Sequence, residues 1–329
     1  MSSSTEAGNA VAFSYLTIQV NRYCGILIFV IGTIGNILNI LVLSRKTFRG
    51  NPCAWLFLMS SIASIISYLS GLVSRFLSSW SLDFSETNGF ICKVRSMVVF
   101  PAITATFWLI ALATVDRWLL SSAETNRRQK STIQNAQRGT IVIICASLGL
   151  YIQMLYCYEA DQLNAPLKCY ASTHICRVLS DISFALLTLF IPLLVMLLFG
   201  VMTIFNIRQR HHQVHHHNAV IQHHNADIHE IYRKRTDRHL VIMLFFQIAT
   251  LFILSMPCPI QRLYLAFKSP DPVTGRQYPL DAFIFTVSLL SMYLANGLSF
   301  YIYTICGGST FQKGLFDIFH RFRRMIVEI

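Results

Sequence analysis

The stretch from Cys92 to Trp118 constrains this chain more than any other. It opens with Cys92 beside Lys93 and Arg95, runs through an almost uncharged apolar span to Val115, and closes on Asp116-Arg117-Trp118. Wound as an α-helix, the 24 residues from Cys92 to Asp116 cover about 36 Å, enough to cross a bilayer with some tilt. The rest of the chain agrees with a lipid setting. Of its 329 residues 54% are hydrophobic and 13% are Asp, Glu, Lys or Arg, with a mean hydropathy of +0.51, against about 25% charged residues in soluble domains.

Six further apolar spans read as crossings: Tyr23 to Leu43, Cys53 to Ser74, Gly139 to Tyr158, Leu179 to Ile207, His239 to Arg262 and Asp281 to Tyr303. Asn36 and Asn39 in the first span carry amides that hydrocarbon cannot satisfy, so they point inward. Pro192 in the fifth, and Pro257 and Pro259 in the sixth, remove intrahelical hydrogen bonds and bend their helices. After the seventh span Phe311, Leu315, Phe319, Phe322 and Ile326 recur at three- or four-residue spacing among basic residues, the pattern of a helix lying on a membrane. The predicted fold is an all-α membrane protein, a seven-transmembrane helix bundle with a short amphipathic C-terminal surface helix. Residues 1–20 form an extracellular N-terminal tail, 21–305 the bundle with a His-rich third cytoplasmic loop at 208–237, and 306–329 the amphipathic helix and a short cytoplasmic tail.

Charge sets the orientation. Alternate loops placed on one side collect two thirds of the 27 lysines and arginines, among them Arg45, Arg127, Arg128, Arg208, Arg235 and Arg321. That side is predicted to be cytoplasmic, with the N-terminus extracellular, the C-terminus inside and Cys92 in an oxidising compartment. The net charge of +12 is then topology and attraction to anionic membrane lipids. No nucleic-acid module is present, so no nucleic-acid partner is expected.

Seven spans, the outer cysteine of the third, Asp116-Arg117-Trp118 at its foot, Gly35-Asn36 in the first and Pro192 in the fifth together resemble the rhodopsin-like G-protein-coupled receptors. Within that family the chain is similar to invertebrate neuropeptide receptors of the FMRFamide-receptor-like group, over about residues 21–326. The resemblance implies a plasma-membrane receptor that passes binding of an extracellular ligand, here a peptide, to a heterotrimeric G protein by movement of the sixth helix. It implies no cofactor and no catalytic residue. It also implies a disulfide from Cys92 to the second extracellular loop, with Cys169 preferred and Cys176 the other choice; Cys157 and Cys176 could form a second bridge. For the activation switch it points to Asp116, Arg117 and Trp118, with Asp237 as a further acidic partner for Arg117, Pro257 as the bend and Tyr303 in the seventh span.

Several positions depart from the family pattern. Asn36, Ser64, Thr106 and Ser299 form the expected structural polar core, but Ser64 stands where the family carries an acid, so a bound sodium ion is not expected. The seventh-span Asn-Pro-x-x-Tyr becomes Ser299-Phe300-Tyr301-Ile302-Tyr303 or, less well spaced, Asn296-Gly297-Leu298-Ser299-Phe300. The sixth-span Cys-Trp-x-Pro becomes Leu254-Ser255-Met256-Pro257. The amine-gripping aspartate of related receptors is replaced by Val99, which argues against an amine ligand. Ligand candidates at the outer face are Arg95, Val99, Glu159, Arg177, Arg262 and Tyr264, a mixture of cations and rings suited to a peptide with acidic or carbonyl groups.

Eight histidines crowd residues 211–229. Imidazole clusters can take metals, but these have no neighbouring cysteine and read as a low-complexity loop, so no metal site is assigned. Neither His-Glu-x-x-His nor Gly-x-Ser-x-Gly occurs, and no enzyme is predicted. The alternatives are a seven-helix receptor-like protein for a non-peptide ligand or one without G-protein coupling and, behind both, a transporter, for which the prolines show no two-half repeat.

Overall fold

The computed structural model describes residues 2–46, 48–162, 167–217, 242, 244–268, 279–306 and 316. Among these, seven helices are long and apolar enough to cross a membrane. They are α1 (Ser2–Leu43), α2 (Pro52–Ser78), α3 (Gly89–Ser121), α4 (Ile133–Cys157), α5 (His174–Gln209), α6 (Leu244–Phe267) and α7 (Pro279–Gly297). A short α8 (Ser299–Cys306) follows α7 after a turn at Leu298. Asp237 and the stretch carrying Phe311, Phe319 and Ile326 lie outside the described residues.

Helix α3 is the central post. It packs on α2, α4 and α5, while α1 lies along α2 and α7, and α6 is held between α5 and α7. One end of α3, the Cys92 end that we term outer, follows from local chemistry: the Asn88 side chain accepts from the amides of Phe90 and Ile91. At the inner end of α2, Asn51 caps Cys53 and Ala54 in the same way, with Pro52 at the first helical position, where its missing N–H costs nothing.

Among the described residues two helices carry π-helical segments. In α5 the residues Phe184–Phe190, ending two residues before Pro192, form a π-helical segment; a proline opens the turn on its N-terminal side because its ring crowds the carbonyl four residues back. That residue is Thr188, whose hydroxyl meets Thr104 of α3 at 2.7 Å and also bonds Tyr151 of α4. In α2 the π-helical segment is Tyr68–Leu72, and Tyr68 donates to the carbonyl of Tyr293 in α7 at 2.7 Å. Gly32 makes this crossing possible, since a Cβ there would stand 2.5 Å from the Tyr68 ring.

The first helix begins well before the Tyr23 boundary read from the sequence. Its outer part leans on α7 through Phe13 and Phe283, with ring centroids 5.9 Å apart. Arg22 also reaches the carbonyl of Ser79 at 2.7 Å and lies 4.9 Å over Trp80. A two-residue hairpin, β1 (Tyr158–Glu159) and β2 (Tyr170–Ala171), closes the outer end, with Tyr158 opposite Ala171 and Glu159 opposite Tyr170.

Candidate functional site

The hairpin is tied down at several points. Disulfides join Cys92 to Cys169 and Cys157 to Cys176, fastening the lid to the top of α3 and the end of α4 to the start of α5. Glu86, in the turn before α3, accepts from Lys168 at 2.7 Å through its side chain and from the Asp161 amide at 3.0 Å through its carbonyl. Hydrogen bonding to Glu86 raises the Lys168 ammonium above its usual pKa.

Beneath the lid Asp181 of α5 and Arg262 of α6 form a buried ion pair at 2.7 Å. Tyr170 of β2 donates to the same carboxylate, its oxygen 2.7 and 2.6 Å from the two carboxylate oxygens. Burial first, then the Asp181 charge, pushes the Tyr170 phenol well above its ordinary range, so it stays a donor at neutral pH. The Arg262 guanidinium lies 4.2 Å over Phe184, 5.4 Å over Phe285 and 5.5 Å over Phe100, an aromatic cage that compensates part of its lost hydration.

A small cavity of about 30 Å³ adjoins this group, lined by Arg75, Arg95, Val99, Phe100 and Arg262 among others. It has room for a water or two. A larger cavity of about 230 Å³ lies toward α1, α2, α7 and the lid. Arg75, Arg95, Leu167 and Cys169 line both.

Of the outer candidates from the sequence, the structure brings Arg95, Val99 and Arg262 together at these cavities. Arg95 donates to Ser74 at 2.6 Å and faces Asp83 at 3.4 Å. Arg177 lies 5.8 Å from the Tyr170 ring, behind the lid. Glu159 is exposed on β1, and Tyr264 is exposed beside Lys268, 5.0 Å from its ring; neither lines these two cavities. Sequence reasoning passed over Asp181 and Arg75. An acid at the start of an apolar span was the available signal for Asp181, because ionisable groups in such spans face inward.

At the opposite end of α3 Asp116 and Arg117 are paired at 2.7 Å, both buried. Ser131 donates to the other Asp116 oxygen at 2.6 Å, and Arg117 donates to Asn51 Oδ1 at 3.2 Å. Trp118 packs edge-on to Phe199 of α5, centroids 5.0 Å apart, with Arg127 5.5 Å from its ring.

The polar core divides. Ser64 and Thr106 share a 3.4 Å hydrogen bond, whereas Asn36 donates back to Gly32 in its own helix at 2.8 Å. Ser299 instead accepts from Gln247 of α6 at 3.0 Å, and Tyr303 donates to the carboxamide oxygen of the same Gln247. Tyr303 also packs at a tilt against Phe57 of α2, centroids 5.0 Å apart. Gln247, unremarked in the sequence, therefore ties α6 to α8. Pro257 opens the outer half of α6 after a turn at Met256.

These two sites, one under an outer lid and one at the inner foot of α3, stand at the ends of a single helix. The profile of the family described as 7 transmembrane receptor (rhodopsin family) matches residues 35–298. The neuromedin U receptor homolog nmur-2 of Caenorhabditis elegans is 22% identical over 299 residues, which are 84% of this chain and 74% of that protein. Galanin receptor 2a of Danio rerio is 22% identical over 143 residues, 44% of this chain and 39% of that receptor's length. With more than half of its length matched by that profile, the chain is a multi-pass membrane protein belonging to the rhodopsin family of seven-transmembrane receptors.

Proposed function

We propose that this receptor sits in the plasma membrane with its N-terminus outside and C-terminus inside, binds a neuropeptide beneath the hairpin lid, and signals to a heterotrimeric G protein. The observation that carries the reading is the outer chamber, where arginines and aromatic rings from α2, α3, α5, α6 and the lid converge on one small volume. Cations set against rings suit carbonyl, carboxylate and aromatic groups of a peptide. The names of the two relatives, a neuromedin U receptor and a galanin receptor, support the peptide class.

At the inner end Arg117, held by Asp116 and Asn51, is the residue assigned to the signalling switch, with Trp118 packed beside it. Tyr303 and Gln247 link α6 to α8. Ligand binding would favour a state in which α6 swings outward about Pro257, the Gln247 contacts part and Arg117 turns to the G protein. Contacts of a few kcal/mol suffice to bias such a two-state equilibrium. Asp237 is assigned as a further partner of Arg117 in the resting state.

The test is expression at the cell surface with a broad G-protein dissociation reporter, an amidated-neuropeptide library and an Arg117→Ala control. A saturable response that disappears in the control supports the reading. Surface-expressed protein that gives neither basal nor peptide-driven dissociation favours the second reading, a receptor-like protein without coupling. That reading draws on Leu254-Ser255-Met256-Pro257, which lacks the aromatic residue usual before the bend, and on the Gln247 ties that hold α6 closed.

A further inference from the structure

Among the described residues that line the two outer cavities, every charged side chain but one has an opposite charge in contact. Asp83 faces Arg95 at 3.4 Å, Glu86 faces Lys168 at 2.7 Å and Asp181 faces Arg262 at 2.7 Å. Farther out Asp281 is taken by Lys268 at 2.6 Å. Arg75 of α2 lines both cavities, yet among the described residues it has neither an ion-pair partner nor a hydrogen bond, only the Phe285 ring 5.8 Å from its guanidinium carbon. A ring face attracts a cation but does not neutralise it. Arg75 is half-buried, and a guanidinium partly withdrawn from water with no carboxylate in contact leaves its charge poorly compensated, so its place in the wall suits a counter-charge from elsewhere.

The larger cavity has the size and the remaining chemistry to supply one. Its volume of about 230 Å³ admits a side chain or a chain terminus, whereas the inner one does not. Its wall holds two further polar atoms that are buried without a partner among the described residues: Asn21 Oδ1, an acceptor, and Arg95 Nε, a donor. An acceptor in the same wall as two guanidiniums is complementary to a carboxylate attached to an amide N–H.

We infer that the space between α1, α2, α7 and the lid is an anion subsite in which Arg75, assisted by Arg95, receives a negatively charged group of the ligand while Asn21 accepts from an adjacent peptide N–H. The inference rests on the peptide-receptor reading and names one group of the ligand that this space takes. The carboxylate comes from an acidic side chain or from a free C-terminus; the chemistry at Arg75 is the same.

The experiment uses the full-length receptor and a synthetic peptide library in which every sequence is made in four forms. These carry an acidic side chain or its amide counterpart, each with a free or an amidated C-terminus. On the wild-type receptor at least one anionic form should be tenfold or more potent than its neutral counterpart, and the form that wins identifies the source. Arg75→Gln should abolish that preference, and Arg75→Lys, which keeps the charge, should retain part of it. Equal potency of all four forms overturns the subsite while leaving the peptide reading intact. So does an undiminished preference in a surface-expressed Arg75→Gln receptor. The wild-type comparison decides the matter even if that variant does not reach the surface. If no form activates a surface-expressed receptor, the peptide reading itself fails and the subsite fails with it.

Discussion

Asp181 and Arg262 lie 81 residues apart in sequence and 2.7 Å apart in space, sealed beneath the lid and joined there by Tyr170. The pair clamps the outer halves of α5 and α6 together. Removing one partner leaves the other as an uncompensated buried charge, which costs about 3–5 kcal/mol. Asp181→Ala is therefore expected to lower thermal stability of the detergent-solubilised receptor sharply. The double replacement Asp181→Leu with Arg262→Met removes both charges and should be milder. Equal stability of Asp181→Ala and wild type would show that the clamp contributes nothing.

At the inner face Asp116 is gripped on both oxygens, by Arg117 and by Ser131. We predict that Asp116→Asn raises ligand-independent G-protein dissociation, and that Ser131→Ala does so more weakly. Asp237→Ala should act in the same direction. Basal activity unchanged in both Asp116→Asn and Asp237→Ala would count against a resting lock on Arg117.

The two disulfides close loops of 77 and 19 residues, worth about 4.5 and 3 kcal/mol by chain entropy. Cys176→Ser should therefore lower the melting temperature while the lid stays fastened at Cys169. Cys169→Ser should lower it further and also reduce ligand affinity, since the lid loses its tie to α3. Thiol labelling of the denatured, unreduced protein checks the pairing: each single variant should expose one additional reactive cysteine, and a variant that exposes none would refute that bridge.

Tyr170 gives the outer site an alkaline limit. Its phenol is raised, first by burial and then by Asp181, so the folded chain keeps this proton to higher pH than the unfolded chain, whose tyrosines ionise near about pH 10. Its contribution is complete below that pH and is lost as pH climbs beyond it, because the unfolded state then binds fewer protons. Wild type should lose more thermal stability between about pH 9 and pH 11 than Tyr170→Phe loses. Parallel losses would mean that the phenol is not buried.

Much of the architecture was legible because a bilayer leaves the chain few options. Each crossing must be a long apolar helix, whereas the direction of the crossings rests on the basic loops alone. What one dimension does not carry is azimuth. Asp181, Arg75 and Gln247 could each be seen in the sequence, but nothing in their spacing says that Asp181 turns toward Arg262, that Arg75 meets Phe285, or that Gln247 reaches both Ser299 and Tyr303. The π-helical segments at Phe184–Phe190 and Tyr68–Leu72 add to the difficulty, since each shifts the faces beyond it relative to a regular helix. The continuation of α1 outward from Tyr23 escaped for another reason: its outer turns pack on α7 through Phe13, a tertiary contact that local polarity hides. Position in the chain groups Asn36, Ser64, Thr106 and Ser299, yet of the four only Ser64 and Thr106 share a hydrogen bond, because Asn36 bonds back to Gly32 and Gln247 offers Ser299 a partner on α6.

One oxygen atom at the inner face serves three donors. Asn51 Oδ1 accepts from the amides of Cys53 and Ala54, at 3.0 and 3.4 Å, and from Arg117 at 3.2 Å. A carbonyl oxygen has two lone pairs, so the arginine and the helix start compete for it. On the proposed departure of Arg117, the two amides would gain the oxygen to themselves and the first turn of α2 would tighten. Deuterium uptake at Cys53 and Ala54 should then slow, and those two backbone protons become a clock of how long the arginine spends away.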